Sequence, residues 1–167
     1  KTYRFLQFFS RLPIQISRLF ARMLAGLINT LHITKTSETI HFNIQVCMPD
    51  LNHAERERIT RAAIRNEMQS YLEFFSIWGA SNDKSISRIH SITGEHFAHE
   101  ALAAGKGLVL IVPHFGTWEV MTPWFATLTK MTIMFKPIKN DDANQFVRNA
   151  RSREGSTLVP TDESGVM

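Results

Sequence analysis

The chain has 167 residues, a net charge of +4 and 44% hydrophobic residues, which together indicate a folded chain able to bury a sizeable core. Its single cysteine, Cys47, excludes an internal disulfide, and its histidines do not have the spacing of a zinc site. We therefore expect no zinc site. We predict that Cys47 is a small residue of the core.

The positive charge is concentrated at the start of the chain. No acidic residue precedes Glu38, whereas six basic residues do. These are Lys1, Arg4, Arg11, Arg18, Arg22 and Lys35. The same segment is rich in Phe, Leu and Ile, so it favours an anionic membrane surface over nucleic acid as a partner.

Residues 3–31 have a helical pattern, with Pro13 as the point where the helix could break. Four arginines fall within roughly 40° of one another on such a helix, beside a wide apolar arc. They are Arg4, Arg11, Arg18 and Arg22. The longest uncharged stretch is too short to span a bilayer, so we expect the helix to lie in the membrane interface. The alternative is a helix packed on the core with its arginines in solvent.

The following elements are predicted in chain order. The first is a linker at 43–51. A helix then begins at the capping-box pattern of residues 52–55 and ends after about Trp78, where Gly79 closes it. A loop at 81–83 comes next. The later elements are a strand at 86–92, a helix at 95–104, a strand at 108–112, a helix at 117–129, a strand at 131–135, a helix at 141–153 and a strand at 157–160.

Strands that alternate with helices predict an α/β fold, with a mainly parallel sheet and flanking helices, preceded by long N-terminal helices. We divide the chain into two predicted parts. Residues 1–42 form a membrane-associating helix and linker, and residues 43–167 form the N-terminal part of an α/β domain.

Residues 114–119, with the sequence HFGTWE, contain the most informative pattern. His114 follows the all-apolar segment 108–112, at a strand end where α/β proteins place ligand-binding groups. An imidazole there can take a proton from a hydroxyl. Glu119, five positions later, can hold the ring in the required tautomer and stabilise its charged form. The alternative is that His114 is a hydrogen-bonded turn residue.

A second histidine has the same spacing to an acid, since Glu95 follows His90 by five positions. His90 lies in an alternating run, where a strand would place it on a polar face. We therefore prefer His114 as the functional histidine.

Residues 105–119 resemble the His-x4-acid block of the bacterial lipid A biosynthesis acyltransferases, the late enzymes of lauroyl or myristoyl type that add a secondary acyl chain. Residues 43–51 are similar to the family's Asn-hydrophobic-Cys-Phe-Pro-Glu stretch. Residues 135–140, followed by Arg148, Arg151 and Gly155, are similar to its Arg-Pro-Leu-Lys-Asn and Arg-x3-Gly block. Lys136 stands where the family usually has Arg.

The resemblance implies a glycerolipid-acyltransferase-like fold and transfer of a fatty acyl chain from an acyl carrier protein thioester to a lipid A precursor. The acceptor would be the hydroxyl of a 3-hydroxyacyl chain. His114 would be the general base and Glu119 its orienting partner. Backbone amides around Gly116 would stabilise the oxyanion, because glycine lets the backbone approach closely.

The resemblance also implies substrate-binding residues and a location. Lys136, Arg148 and Arg151 would bind phosphate or the carrier's phosphopantetheine, or would alternatively be solvated charges. The protein would lie at the cytoplasmic face of the inner membrane, bound peripherally or anchored by its N-terminal part. No nucleic acid is expected as a partner, and the implied acyl transfer needs no metal and no cofactor.

The resemblance extends over the whole chain but over only about the first half to two-thirds of the family's length. We therefore expect an N-terminal fragment, without full activity alone. The His-x4-acid motif is shared with glycerolipid acyltransferases, so a glycerolipid or another glycolipid acceptor is the first alternative. A non-catalytic membrane-binding module, in which His114 and Glu119 are structural, is the second.

Overall fold

The computed structural model describes residues 1–31 and 35–165. Residues 32–34, within the predicted N-terminal part, and residues 166–167 lie outside the described residues. The chain forms two compact units. The first joins Lys1–Arg11 to the chain from Phe75 onward, and the second is Leu12–Phe74.

Helices account for most of the described residues. The helices are α1 (Thr2–Ser10), α2 (Ile14–Leu31), α3 (Lys35–Cys47), α4 (His53–Gly79), α5 (Asn82–Ile86), α6 (Glu95–Ala103), α7 (Met121–Ala126) and α8 (Asp141–Arg151). The strands are β1 (Thr132–Met134) and β2 (Thr157–Val159), and short 3-10 turns lie at Trp118–Val120, Arg153–Gly155 and Glu163–Gly165.

The elements with strong local signals form as predicted. The helical pattern breaks before Pro13, between α1 and α2. The capping box forms in both directions: the Asn52 amide donates to the Glu55 carboxylate, and the Glu55 amide donates to Asn52 Oδ1 at 3.0 Å. Helices α6 and α8 and both strands also lie within the predicted segments.

Two other predictions are wrong for local reasons. The segment 43–51 is not all linker, because α3 continues to Cys47 and ends only where Pro49 disfavours helix in the preceding residue. The predicted loop at 81–83 is replaced by α5, and the predicted strand at 86–92 is absent, since Ile86 ends α5 and residues 87–92 form a turn and irregular chain. Ser81 caps this helix by accepting a hydrogen bond from the Lys84 amide, which draws Ile86 into the helix.

The predicted mainly parallel sheet is reduced to two strands in the described part of the chain. β1 and β2 pair in parallel, with Ile133 opposite Leu158. Residues 108–112, predicted as a buried strand, join no ladder. The side chains of Val109 and Ile111 are 89% and 88% exposed, so this apolar run is neither paired nor covered. Hydrophobicity alone does not form a strand, because a strand needs a neighbour for its backbone groups.

The second unit packs small residues inward and large ones outward on α2. Ala25 and Ile28 of α2 pack with Ile64 of α4, joined by Ile40 and Met68. The exposed apolar residues of α2 are much larger than the buried alanines. They are Ile16, Leu19, Phe20, Met23, Leu24, Leu27 and Leu31. Cys47, predicted to be a core residue, is exposed at the end of α3.

The four arginines of the N-terminal segment do not lie on one continuous helix, because α1 and α2 are separate helices. Arg4 lies in α1 and Arg11 just after it, so only Arg18 and Arg22 share a helix. Arg18 is bound by Glu73, with Nε 2.6 Å from Oε1, so its charge is already partly neutralised. No helix among residues 1–31 and 35–165 is long and apolar enough to cross a membrane.

The first unit packs α1 against α8 and places the end of α4 against α1. The rings of Tyr3 and Phe146 meet edge to face at 5.8 Å, and the Tyr3 amide donates to the Asp142 carboxylate. This hydrogen bond lowers the pKa of Asp142. At Gly79 a side chain would meet Ser10, so glycine permits this close approach.

Candidate active site

His114 lies at the tip of a tight turn in the first unit. The Phe115 amide donates to the Pro113 carbonyl at 2.8 Å, which closes a three-residue turn around His114. The imidazole is exposed and stacks on the Trp118 indole, with ring centroids 4.4 Å apart. Gly116 follows with a φ of +57°, a conformation that favours glycine.

Glu119 lies in the 3-10 turn that leads into α7, and only 1% of it is exposed. Its carboxylate accepts hydrogen bonds from two side chains. Trp78 Nε1 donates to Oε2 at 2.8 Å, and the Arg151 guanidinium donates to both oxygens. A buried carboxylate needs such partners, because an unpaired charge in the interior is strongly unfavourable.

Arg151 links Glu119 to the two neighbouring aromatic rings. Its guanidinium carbon lies 5.4 Å from the centre of the Trp118 ring and 5.5 Å from that of Phe135. The Trp118 indole therefore contacts the His114 imidazole and the Arg151 guanidinium. Trp118 connects the predicted histidine to the cation that holds the predicted carboxylate.

The structure thus brings His114 and Glu119 into one cluster but not into direct contact. In the described part of the chain no hydrogen bond or ion pair joins the imidazole to a carboxylate. The competing pair is separated too, since Glu95 lies 3.6 Å from His99 rather than bonding to His90.

The other predicted substrate-binding residues differ in how exposed their charged groups are to a substrate. Lys136 follows β1 and is exposed, and Arg148 is exposed on α8 with its guanidinium 5.8 Å from the Phe135 ring. Arg151 is directed to Glu119, and only 16% of its side chain is exposed. The Phe115 amide is used by the turn, whereas the Gly116 amide donates to no group within the described residues.

Sequence reasoning did not identify Trp78 and Arg153, which complete the cluster. Arg153 donates to the backbone carbonyls of Trp78 and Ala80, at the C-terminal end of α4. Burial lowers the pKa of the Arg153 guanidinium, which nonetheless remains charged near neutral pH. The one local signal for Trp78 is its position just before the helix-ending Gly79, and this signal predicts no hydrogen-bond partner.

The space beside Glu119 is small. A cavity of about 10 Å³ adjoins the carboxylate, room for roughly one water molecule. It cannot hold an acyl chain, so a substrate would reach the site from the exposed side of His114. Among residues 1–31 and 35–165, no group of three or more His, Cys, Asp and Glu side chains could hold a metal ion.

Comparison with known proteins identifies the family. Residues 3–165 match the family model described as bacterial lipid A biosynthesis acyltransferase. A search of curated proteins gives no match. Because the family match spans nearly the whole chain, the protein belongs to the bacterial lipid A biosynthesis acyltransferases and is an acyltransferase.

Proposed function

We propose that the enzyme transfers a fatty acyl chain of lauroyl or myristoyl type from an acyl carrier protein thioester to a 3-hydroxyacyl hydroxyl of a lipid A precursor. His114 takes the hydroxyl proton while the oxygen attacks the thioester carbonyl. The tetrahedral intermediate then collapses, the carbon–sulfur bond breaks, and the proton passes from the imidazolium to the departing thiolate. The products are the new ester and the free carrier thiol.

The observation that supports this mechanism best is the contrast between an exposed imidazole and a buried, fixed carboxylate in one cluster. In the proposed mechanism the His114 imidazole turns from the Trp118 indole toward Glu119 when an acceptor binds. Glu119 is held by Trp78 and Arg151, so its charge is in place before the imidazole becomes positive. Preorganised charge of this kind stabilises a transition state without reorganisation.

The surrounding groups have separate proposed roles. The Gly116 amide donates to the oxyanion. Lys136 and Arg148, both exposed, bind the phosphates of the acceptor or of phosphopantetheine. Arg151 binds Glu119 rather than phosphate, so its charge acts on the site through that carboxylate. The alternative acceptor, a glycerolipid, would use the same chemistry at His114.

Acyl transfer can be measured directly with the enzyme, an acyl carrier protein loaded with a fatty acid, and one of two acceptors. We expect product with the lipid A precursor and release of one thiol per ester formed. A glycerol phosphate acceptor should give little product. Faster transfer to glycerol phosphate would reverse the choice of acceptor, and mass spectrometry of the product would give the acyl chain length.

We also propose that the second unit attaches the enzyme peripherally to the cytoplasmic face of the inner membrane through α2. This helix buries alanines and exposes Leu19, Met23 and Leu27, which are 57%, 64% and 51% exposed. An exposed face of large apolar side chains suits the boundary between headgroups and acyl chains. Arg22, also exposed, would meet anionic headgroups.

Replacing Leu19, Met23 and Leu27 together by Gln should lower binding to anionic vesicles at least about tenfold in a flotation assay. Each replacement removes part of the binding free energy, because full burial of such a side chain contributes roughly 1.5–3 kcal/mol. Wild-type binding should weaken with salt but persist, because apolar contact is not screened.

Three exposed apolar residues of the first unit provide the matched control. Replacing Phe97, Val109 and Ile111 by Gln removes similar exposed apolar groups outside α2. We expect this variant to bind vesicles nearly as wild type does. Equal binding by the α2 variant and wild type would refute attachment through this helix.

A further inference from the structure

Two segments far apart in the chain converge on Glu119. Trp78, in the last turn of α4, donates its indole N–H to Oε2 at 2.8 Å. Arg151, in the last turn of α8, donates Nε to the same oxygen at 3.3 Å and an Nη2 hydrogen to Oε1. The carboxylate is therefore held from two sides, and its oxygen Oε2 has two donors.

The two donors are not equivalent. Arg151 supplies the positive charge that compensates the carboxylate. Its guanidinium also lies near the rings of Trp118 and Phe135. Trp78 supplies no charge, so its N–H contributes mainly direction to the carboxylate. Removing this single donor leaves the ion pair in place but takes away the shorter of the two hydrogen bonds to Oε2, so this oxygen is held less firmly.

The position of Trp78 is in turn set by Arg153. Its guanidinium binds the carbonyls of Trp78 and Ala80, which lie at the end of α4 where backbone carbonyls lack helical partners. A cation also interacts favourably with the negative end of the helix dipole. The chain of contacts thus runs from Arg153 to the end of α4, and from the Trp78 indole to Glu119.

We propose that Trp78 is a positioning residue for acyl transfer: its indole N–H orients the Glu119 carboxylate, and Arg153 fixes the indole by binding the end of α4. The proposal rests on the proposed function, because it requires Glu119 to act with His114. Because both residues act through Glu119, we expect their effect on the rate of the chemical step rather than on substrate binding.

The test compares Trp78→Phe, which keeps an aromatic ring and removes the donor, with Trp124→Phe as the matched control. Trp124 is a buried tryptophan that packs with Ala98 and Phe125 in a core cluster. Its indole donates to no group among the described residues. For Trp78→Phe we expect kcat to fall about 10- to 100-fold, with KM and the unfolding temperature close to those of wild type. The control should keep kcat within about twofold.

A double variant separates this inference from the proposed function. In an enzyme that already contains Glu119→Gln, Trp78→Phe should cause less than about a twofold further loss, because the group it orients is gone. An additive loss would show a merely structural role and would overturn the inference. Full activity in Glu119→Gln alone would refute the proposed dyad, whereas a large loss there with no effect of Trp78→Phe would refute only the positioning role.

Arg153→Lys provides a second route if Trp78→Phe does not fold. Lysine keeps the positive charge but cannot bind both carbonyls with one planar group. We expect a several-fold fall in kcat with unchanged KM, and no further fall in the Glu119→Gln background. Unchanged kcat in a folded Arg153→Lys enzyme would remove Arg153 from the proposal.

Discussion

His114→Ala is expected to lower the rate of acyl transfer by about 100- to 10,000-fold, the loss typical of removing a general base. The side chain is exposed at the tip of a turn, and no described hydrogen bond depends on it. The variant should therefore fold normally. The measurement is turnover of the acyl carrier protein thioester, with circular dichroism as the check on folding.

His90→Ala is the matched control for this prediction. His90 is also exposed and also precedes a glutamate by five positions, but that glutamate lies beside His99. We expect this variant to keep nearly all activity. If folded His114→Ala keeps a tenth of the wild-type rate, the assignment of the base is wrong, and a large specific loss in His90→Ala would indicate the other pair.

Helices α4 and α8 could be predicted from the sequence because their signals are local. The capping box at Asn52 and Glu55 forms the two hydrogen bonds that its pattern predicts. Asn140 likewise caps α8 by accepting from the Ala143 amide. Each signal involves residues three positions apart, so no knowledge of the tertiary structure is needed.

The strands were harder to predict because their partners are distant in sequence. Residues 108–112 have the composition of a buried strand but join no ladder in the described chain. Residues 132–134 have a weaker pattern and do pair, because residues 157–159 lie beside them in register. Composition gives the tendency to be extended, whereas pairing depends on which neighbour is present.

In the candidate site, too, the local pattern could be predicted from the sequence, whereas the contacts between distant segments could not. The sequence motif predicted His114 and Glu119 as site residues, and the structure places them in one cluster. The motif did not predict that Trp78 and Arg151 would bind Glu119, since these lie 41 and 32 positions away. The resemblance implied that Arg151 binds phosphate, or is a solvated charge, whereas in the structure it binds a carboxylate of the chain itself.

The second large effect is expected on stability. Arg151→Ala should lower the free energy of unfolding by about 3–5 kcal/mol, because it leaves the Glu119 charge buried without a cation. Glu119 is 1% exposed and the Arg151 side chain 16% exposed, so solvent screens this pair only weakly. Denaturant unfolding measures the change.

Arg148→Ala is the control, because Arg148 lies on the same helix but is exposed. Its guanidinium has an aromatic contact at 5.8 Å, so its loss should change the free energy of unfolding by less than about 1 kcal/mol. A similarly small loss in Arg151→Ala would show that the buried pair does not stabilise the fold.

A double replacement separates the contribution of this pair to stability from its contribution to catalysis. Glu119→Gln with Arg151→Met removes both charges, so much of the stability lost in Arg151→Ala should return. Transfer activity should not return, because no carboxylate remains to act with His114. If the double variant regained activity along with stability, Glu119 would be a structural residue, and the ion pair would serve the fold alone.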